Sequence, residues 1–296
     1  FTRTPEVRSY MKNRGVSEES IKTFRLGYAI PQEKGWRTLL EHLRTKGYQE
    51  AEMEKVGLVL RKESTKSQLP VTHYQLPPTS YYDRFRNRIM FPITDPNGRV
   101  VGFGGRVFGE ATETVAKYIN TPQTILYDKS RVLYGFDKAK LELRRTNTAV
   151  LVEGYMDALM AHQAGTANTV AVSGTALTPQ QLQMLRRLCD KLLMSFDSDE
   201  AGESATRRSI DLALEAGFEV QIIGLEAKDP ADVVRDNPAV WKRAVEEAKE
   251  VIAFFLSRTL ERFDARGVEG KRAISKSVLP LVAKIKGGPR AERKTG

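Results

Sequence analysis

A single cysteine, Cys189, among 296 residues excludes an internal disulfide framework and any cysteine-rich zinc site. Its apolar, helical surroundings predict a buried thiol. Histidine is equally sparse: His42, His73 and His162 stand far apart, and none falls in a metal-ligating spacing. Long apolar runs are missing too. None reaches membrane-spanning length and no leader-like stretch opens the chain, which predicts a cytoplasmic protein that makes no use of a membrane. Acidic excess is absent: Lys and Arg number 47 against 37 Asp and Glu, for a net charge of +10. That balance favours a polyanionic partner and says nothing about fold. What the chain does have is length enough for two or three subdomains, and a 41% hydrophobic content that suits ordinary globular packing.

The pattern changes along the chain. Residues 1 to about 60 read as helical. Thr4-Pro5-Glu6 opens a first helix that ends near Gly15, Ser17 caps a short second one, and a third lies between Gly35 and Gly47. Residues 62–80 read as a loop or surface insertion. Arg84 to Phe91 alternates as a strand should, Pro96-Asn97-Gly98 supplies a hairpin turn, and Val100 to Arg106 is the return strand. From 147 to 225, apolar runs at 148–153, 169–173, 191–197 and 218–224 alternate with helical stretches at 155–164, 178–189 and 200–216. This is the pattern of a parallel sheet with crossover helices. The chain then turns helical. The expected architecture is α/β: a mixed α+β basic subdomain over 1–146, a Rossmann-like parallel-sheet subdomain over 147–233, a helical subdomain over 234–286 and a flexible tail over 287–296.

Two groups of residues carry chemistry. Glu153-Gly154-Tyr155-Met156-Asp157 follows the apolar strand 149–152, and Asp197-Ser198-Asp199 follows another at 192–196. Ligand sites in open α/β sheets lie beyond the carboxyl ends of parallel strands, so neighbouring strands would aim Glu153, Asp157, Asp197 and Asp199 at one place. Close carboxylates repel unless a hard cation stands among them, and Mg²⁺ takes oxygen ligands together with substrate phosphates. Asp157 is one helical turn beyond Glu153 and shares its face. Asp229-Pro230-Ala231-Asp232 adds carboxylate after the next strand, or simply starts a helix. The second group is basic. As a strand, Arg84, Arg86 and Arg88 place three guanidiniums on one face, which favours a phosphate-bearing ligand. Arg106, Lys117, Tyr118, Asn120, Lys129 and Arg131 extend it; Tyr118 suits stacking on a base or hydrogen bonding within a core.

The acidic stretches resemble the signature of the Toprim superfamily of primases, topoisomerases and nucleases. Arg84 to Ile93, Gly102-Phe103-Gly104-Gly105-Arg106 and Lys117-Tyr118-Ile119-Asn120-Thr121-Pro122 resemble, in order, the basic segment of DnaG-type bacterial primases, and Tyr10 to Gly15 resembles that family's entry motif. The resemblance covers most of residues 3–260. It implies a metal-dependent RNA polymerase core that makes RNA primers on a single-stranded DNA template from ribonucleoside triphosphates, acting as a monomer at nucleoid replication forks. By the same resemblance, Glu153, Asp197 and Asp199 are catalytic. Together with Asp157, Asp229 and Asp232 they would hold Mg²⁺ or Mn²⁺, with two or more ions accommodated and no zinc. Arg14, Arg106, Lys117, Tyr118, Asn120 and Lys129 would handle triphosphate and template. The family's Asp-Pro-Asp is here Asp229-Pro230-Ala231-Asp232. Its zinc-binding and helicase-interacting domains have no counterpart in this sequence, which therefore reads as the central domain alone, with the replicative helicase reached through a domain outside it. A Toprim nuclease or topoisomerase fragment, or a non-catalytic nucleic-acid-binding module, are the competing readings. The first does not explain the basic segment, nor the second the intact acidic set.

Overall fold

The computed structural model describes residues 4–31, 36–62, 81–110, 112, 115–174, 176–195, 200–225 and 229–284, with side chains of 200–205 left aside. They form two units, one of residues 1–95 and 99–129, the other of 96–98 and 130–296.

The first unit opens with α1 (Pro5–Asn13) and α2 (Glu18–Thr23). Pro5 occupies the first turn of α1, and the Ser17 hydroxyl caps α2 by accepting the Ser20 amide at 3.1 Å. Then follow β1 (Gly27–Ala29), α3 (Thr38–Thr45), α4 (Glu50–Lys55), β2 (Val59–Arg61), β3 (Tyr81–Asp83), β4 (Arg88–Thr94), β5 (Val100–Val107) and β6 (Tyr118–Asn120). An antiparallel sheet has the order β1-β4-β5-β6, while β2 and β3 pair separately. Ile89, Phe91 and Ile93 of β4 are fully buried, the period of two that a half-buried strand requires. The expected loop at 62–80 lies almost wholly outside the described residues.

The expected strand through Arg84 is corrected. β3 stops at Asp83 and β4 starts at Arg88, because Asn87 takes a left-handed conformation with φ of 50°. Its side-chain amide donates to the Phe108 carbonyl at 3.2 Å and accepts from the Tyr28 hydroxyl. A break there abolishes the shared face for Arg84, Arg86 and Arg88. Beneath it, Phe85 packs on the backbone of Gly105: a Cβ at that glycine would stand 2.7 Å from the Phe85 ring and 3.1 Å from Arg88 Cδ. Gly105→Ala is expected to cost about 1–3 kcal/mol by overpacking. A urea midpoint equal to that of the parent would show that the ring gives way freely.

The second unit contains α5 (Phe136–Thr146), β7 (Thr148–Val152), α6 (Tyr155–Gln163), β8 (Thr169–Ala171), α7 (Pro179–Arg186), β9 (Lys191–Met194), α8 (Glu200–Glu215), β10 (Glu219–Ile222), α9 (Pro230–Asp236), α10 (Pro238–Glu246), β11 (Lys249–Glu250), α11 (Val251–Arg262) and α12 (Val268–Val282). The sheet order is β11-β10-β9-β7-β8, parallel throughout except for the edge strand β11. Residues 149–152 and 192–194 are buried without alternation, as strands covered on both faces must be. Leu151, Val170, Leu182, Leu192, Ile210 and Val220 belong to one core. Helix α7 starts at a reciprocal cap: Thr178 Oγ1 accepts the Gln181 amide, and Gln181 Oε1 accepts the Thr178 amide. Every strand and helix expected between 147 and 225 is present. The short elements β1, α4 and β11 were not expected. The expected tail at 287–296 lies outside the described residues.

Candidate active site

From β7 the chain runs through α6 to β8 on one side, then through α7 to β9 on the other. The strand order therefore reverses at β7 and β9, and a crevice opens at their carboxyl ends. Glu153 is the first residue beyond β7 and is half-buried; its carbonyl accepts the Ser173 amide at 2.9 Å. Asp229 follows β10, which lies on the far side of β9 in the same parallel set. Three adjoining strands thus deliver their successor segments to one sheet edge. Asp197 and Asp199 follow β9 in the chain and lie outside the described residues.

Asp157 has a different setting from the expected one. Glu153 precedes α6 rather than belonging to it, so the two do not share a helical face. Asp157 Oδ2 accepts the Gly154 amide at 2.9 Å, and Oδ1 accepts the Ala231 amide at 3.2 Å. One buried carboxylate therefore caps α6 and ties its first turn to that of α9. Gly154 is needed for this close approach, since a Cβ there would stand 2.8 Å from Asp157 Oδ2. Asp229 caps α9 by accepting the Asp232 amide at 2.8 Å, and Asp232 is ion-paired with Arg235, which offsets its charge. Asp157→Ala is expected to cost about 2–3 kcal/mol, from a lost cap and a buried amide left unpaired. A group serving only as a metal ligand would do the reverse, since its removal relieves repulsion; denaturant midpoints separate the two.

Two serines at the same edge escaped the sequence reading. Ser173, just beyond β8, has φ of 56°, and Gly174 follows it at 81°. A left-handed serine followed by a left-handed glycine makes a turn beside Glu153 that is strained at the serine. The Ser-Gly after an apolar run was the available signal. Ser195, just beyond β9, is 1% exposed, and among the described residues its hydroxyl has no hydrogen-bond partner. A buried hydroxyl left unpaired costs about 1–3 kcal/mol. The donors at this edge are oxygens. His162 is half-buried and bonds the Thr169 carbonyl, loss of hydration holding its pKa down, and Cys189 precedes β9 at the opposite end of the strand with its thiol pushed up to about 11 by burial. Oxygen donors of this kind suit a hard divalent cation. Among the described residues, no three Asp, Glu, His or Cys side chains stand close enough to hold an ion.

In the first unit the basic residues divide. Arg88 is 6% exposed, and its guanidinium donates to the carbonyls of Gly105 at 3.0 Å, Ala116 at 2.9 Å and Lys117 at 3.4 Å. Arg84 donates twice to the Asn120 carbonyl, at 3.0 and 2.7 Å. Burial lowers the pKa of both. Arg86 donates to the Asp83 carbonyl and lies over the rings of Trp36 and Tyr82. The expectation that three close guanidiniums demand an anion is therefore corrected, because backbone carbonyls and aromatic rings partner them. Arg106 and Tyr118 are directly opposite in the β5–β6 ladder, with Gly104 opposite Asn120. Arg106 donates to the Tyr10 hydroxyl and lies 5.4 Å over its ring. Arg14 is one turn after Tyr10, at the end of α1. The side chain of Tyr118 is half-buried with its ring 6.5 Å from that of Phe91, and Lys117 is exposed beside it. Lys129 is half-buried in a 3₁₀ turn beyond this sheet.

A doubly covered parallel sheet, a strand-order reversal and acidic residues following its carboxyl ends define a Toprim-type α/β domain. Residues 150–234 match the Toprim-like family and residues 1–140 the DNA primase catalytic core, N-terminal domain. The chain is 36% identical over 282 residues to a DNA primase of Clostridium acetobutylicum, covering 95% of this chain and 44% of the relative. A DNA primase domain from Pseudomonas aeruginosa superposes with a TM-score of 0.76 at 33% identity, over 97% of this chain and 85% of that one. A DnaG primase catalytic domain bound to single-stranded DNA superposes with a TM-score of 0.75 at 32% identity, over 95% and 84%. The chain belongs to the DnaG-type bacterial primase family and corresponds to its catalytic core. It spans less than half the length of the curated relative. No helix among the described residues is long and apolar enough to cross a membrane.

Proposed function

We propose that this chain is the catalytic core of a DNA-directed RNA primer synthase, transferring ribonucleotides from triphosphates to a growing primer on single-stranded DNA. The observation that carries the reading is the reversal of strand order at β7 and β9, with Glu153 following one strand, Asp197 and Asp199 the other, and Asp229 following their parallel neighbour β10. Glu153, Asp197, Asp199 and Asp229 are the residues that would hold Mg²⁺ or Mn²⁺. A divalent cation bound there would neutralise triphosphate oxygens and acidify the attacking hydroxyl. Asp157 positions these groups by joining the starts of α6 and α9, and Asp232 is given over to Arg235. Arg14, Arg106, Lys117, Tyr118, Asn120 and Lys129 bind the sugar-phosphate chain of template and primer. Arg84 and Arg88 hold the sheet that presents them.

The nuclease and bare-binding readings predict different products from one assay. Single-stranded template, Mg²⁺ or Mn²⁺ and labelled ribonucleotides are expected to yield short RNA. Cleaved template with no RNA would favour a Toprim nuclease, and retained but unaltered template a binding module. Replicative helicase contact belongs to the whole protein, and a pull-down with longer chains would test it.

A further inference from the structure

Trp36 stands two residues before the start of α3, ahead of its N-cap Arg37, with 52% of its surface open to solvent. It is held in place. The Asp83 amide donates to the Trp36 carbonyl at 2.7 Å, while the buried Asp83 carboxylate accepts the amides of Leu39 and Leu40 at 2.7 and 2.9 Å. Trp36 and the first turn of α3 are thereby fixed to the end of β3. The Arg86 guanidinium lies 4.7 Å from the centre of the indole and 5.3 Å from that of Tyr82, and the two rings meet edge to face at 5.6 Å. A flat, half-open aromatic surface with a cation over it is complementary to a flat base with an anion beside it. The surrounding unit carries 21 Lys and Arg against 14 Asp and Glu.

We propose that Trp36, with Tyr82 and Arg86, is a stacking platform for an unpaired base of single-stranded DNA, Arg86 pairing with the adjoining phosphate. The proposal rests on the reading of the chain as an enzyme of single-stranded DNA, and adds a base-contacting site apart from the Arg106–Tyr118 ladder.

The chain has two tryptophans, and the other, Trp241, is fully buried with its indole N–H donating to the Thr166 hydroxyl at 2.9 Å. Intrinsic fluorescence therefore separates an accessible indole from an inaccessible one. The probes are oligo(dT) and an abasic oligomer of equal length, with binding followed in parallel by anisotropy. Oligo(dT) is expected to quench part of the emission in step with binding, and the abasic oligomer to bind without quenching. Trp36→Leu should weaken oligo(dT) binding roughly ten-fold while leaving the abasic affinity and the salt slope unchanged. Trp36→Phe should keep most of the affinity, which guards against a folding defect. Equal quenching by both oligomers, or binding without quenching, or an undiminished affinity of Trp36→Leu, would overturn the platform alone if primers are still made. Absence of both binding and primer synthesis would overturn the platform and the functional reading together.

Discussion

Glu153→Gln is expected to lower primer synthesis by at least about a hundred-fold, the scale on which loss of one preorganised electrostatic group acts. The side chain is the first beyond β7, at the reversal of strand order, and glutamine preserves its shape while removing its charge. Its melting temperature should stay level or rise if Glu153 belongs to the proposed metal-holding set, because neutralising one carboxylate of such a set relieves repulsion. Labelled ribonucleotide incorporation on single-stranded template, with thermal melts alongside, is the measurement. Parent-like incorporation by a folded variant would remove Glu153 from the active centre.

Arg88→Ala is expected to act on stability instead. The guanidinium donates to the carbonyls of Gly105 and Ala116 at 3.0 and 2.9 Å, and alanine would remove both charge-assisted bonds, the first of them buried. Hydrogen bonds to a charged group contribute about 1.5–3 kcal/mol each when buried and less when exposed, and relief from burying a charge returns part of this, so a net loss of about 1–3 kcal/mol follows. Lysine should not rescue it, having no planar fork to reach diverging carbonyls. The salt dependence of DNA binding by whatever fraction folds should match the parent. A stable Arg88→Ala with a shallower slope of log affinity against log salt would return this residue to the phosphate-binding set.

The contrast between those two residues shows what could be read in advance. Glu153 was legible because an apolar run followed by Glu-Gly and a helical pattern is a local feature, and an open sheet puts such a residue at a predictable edge. Asp157 was legible as acidic but not as a cap, since its second partner, the Ala231 amide, is 74 residues away. Arg84, Arg86 and Arg88 alternated correctly for a strand. Asn87 broke it, held left-handed by Tyr28 and Phe108 from other elements. The strands β1 and β11, of three and two residues, were too short to show a period.

By itself, then, the sequence determined the alternation of strands and helices after residue 147, the acidic stretches that follow those strands, and the basic excess of the first unit. Each depends on neighbours within one or two helical turns, where periodicity and turn chemistry operate. Tertiary structure alone decided that β9 and β10 lie on the same side of β7, that Asp157 joins α6 to α9, and that Arg88 serves three carbonyls rather than a phosphate. A buried polar group takes whichever partner the fold brings within reach, and that partner need not be near it in the chain.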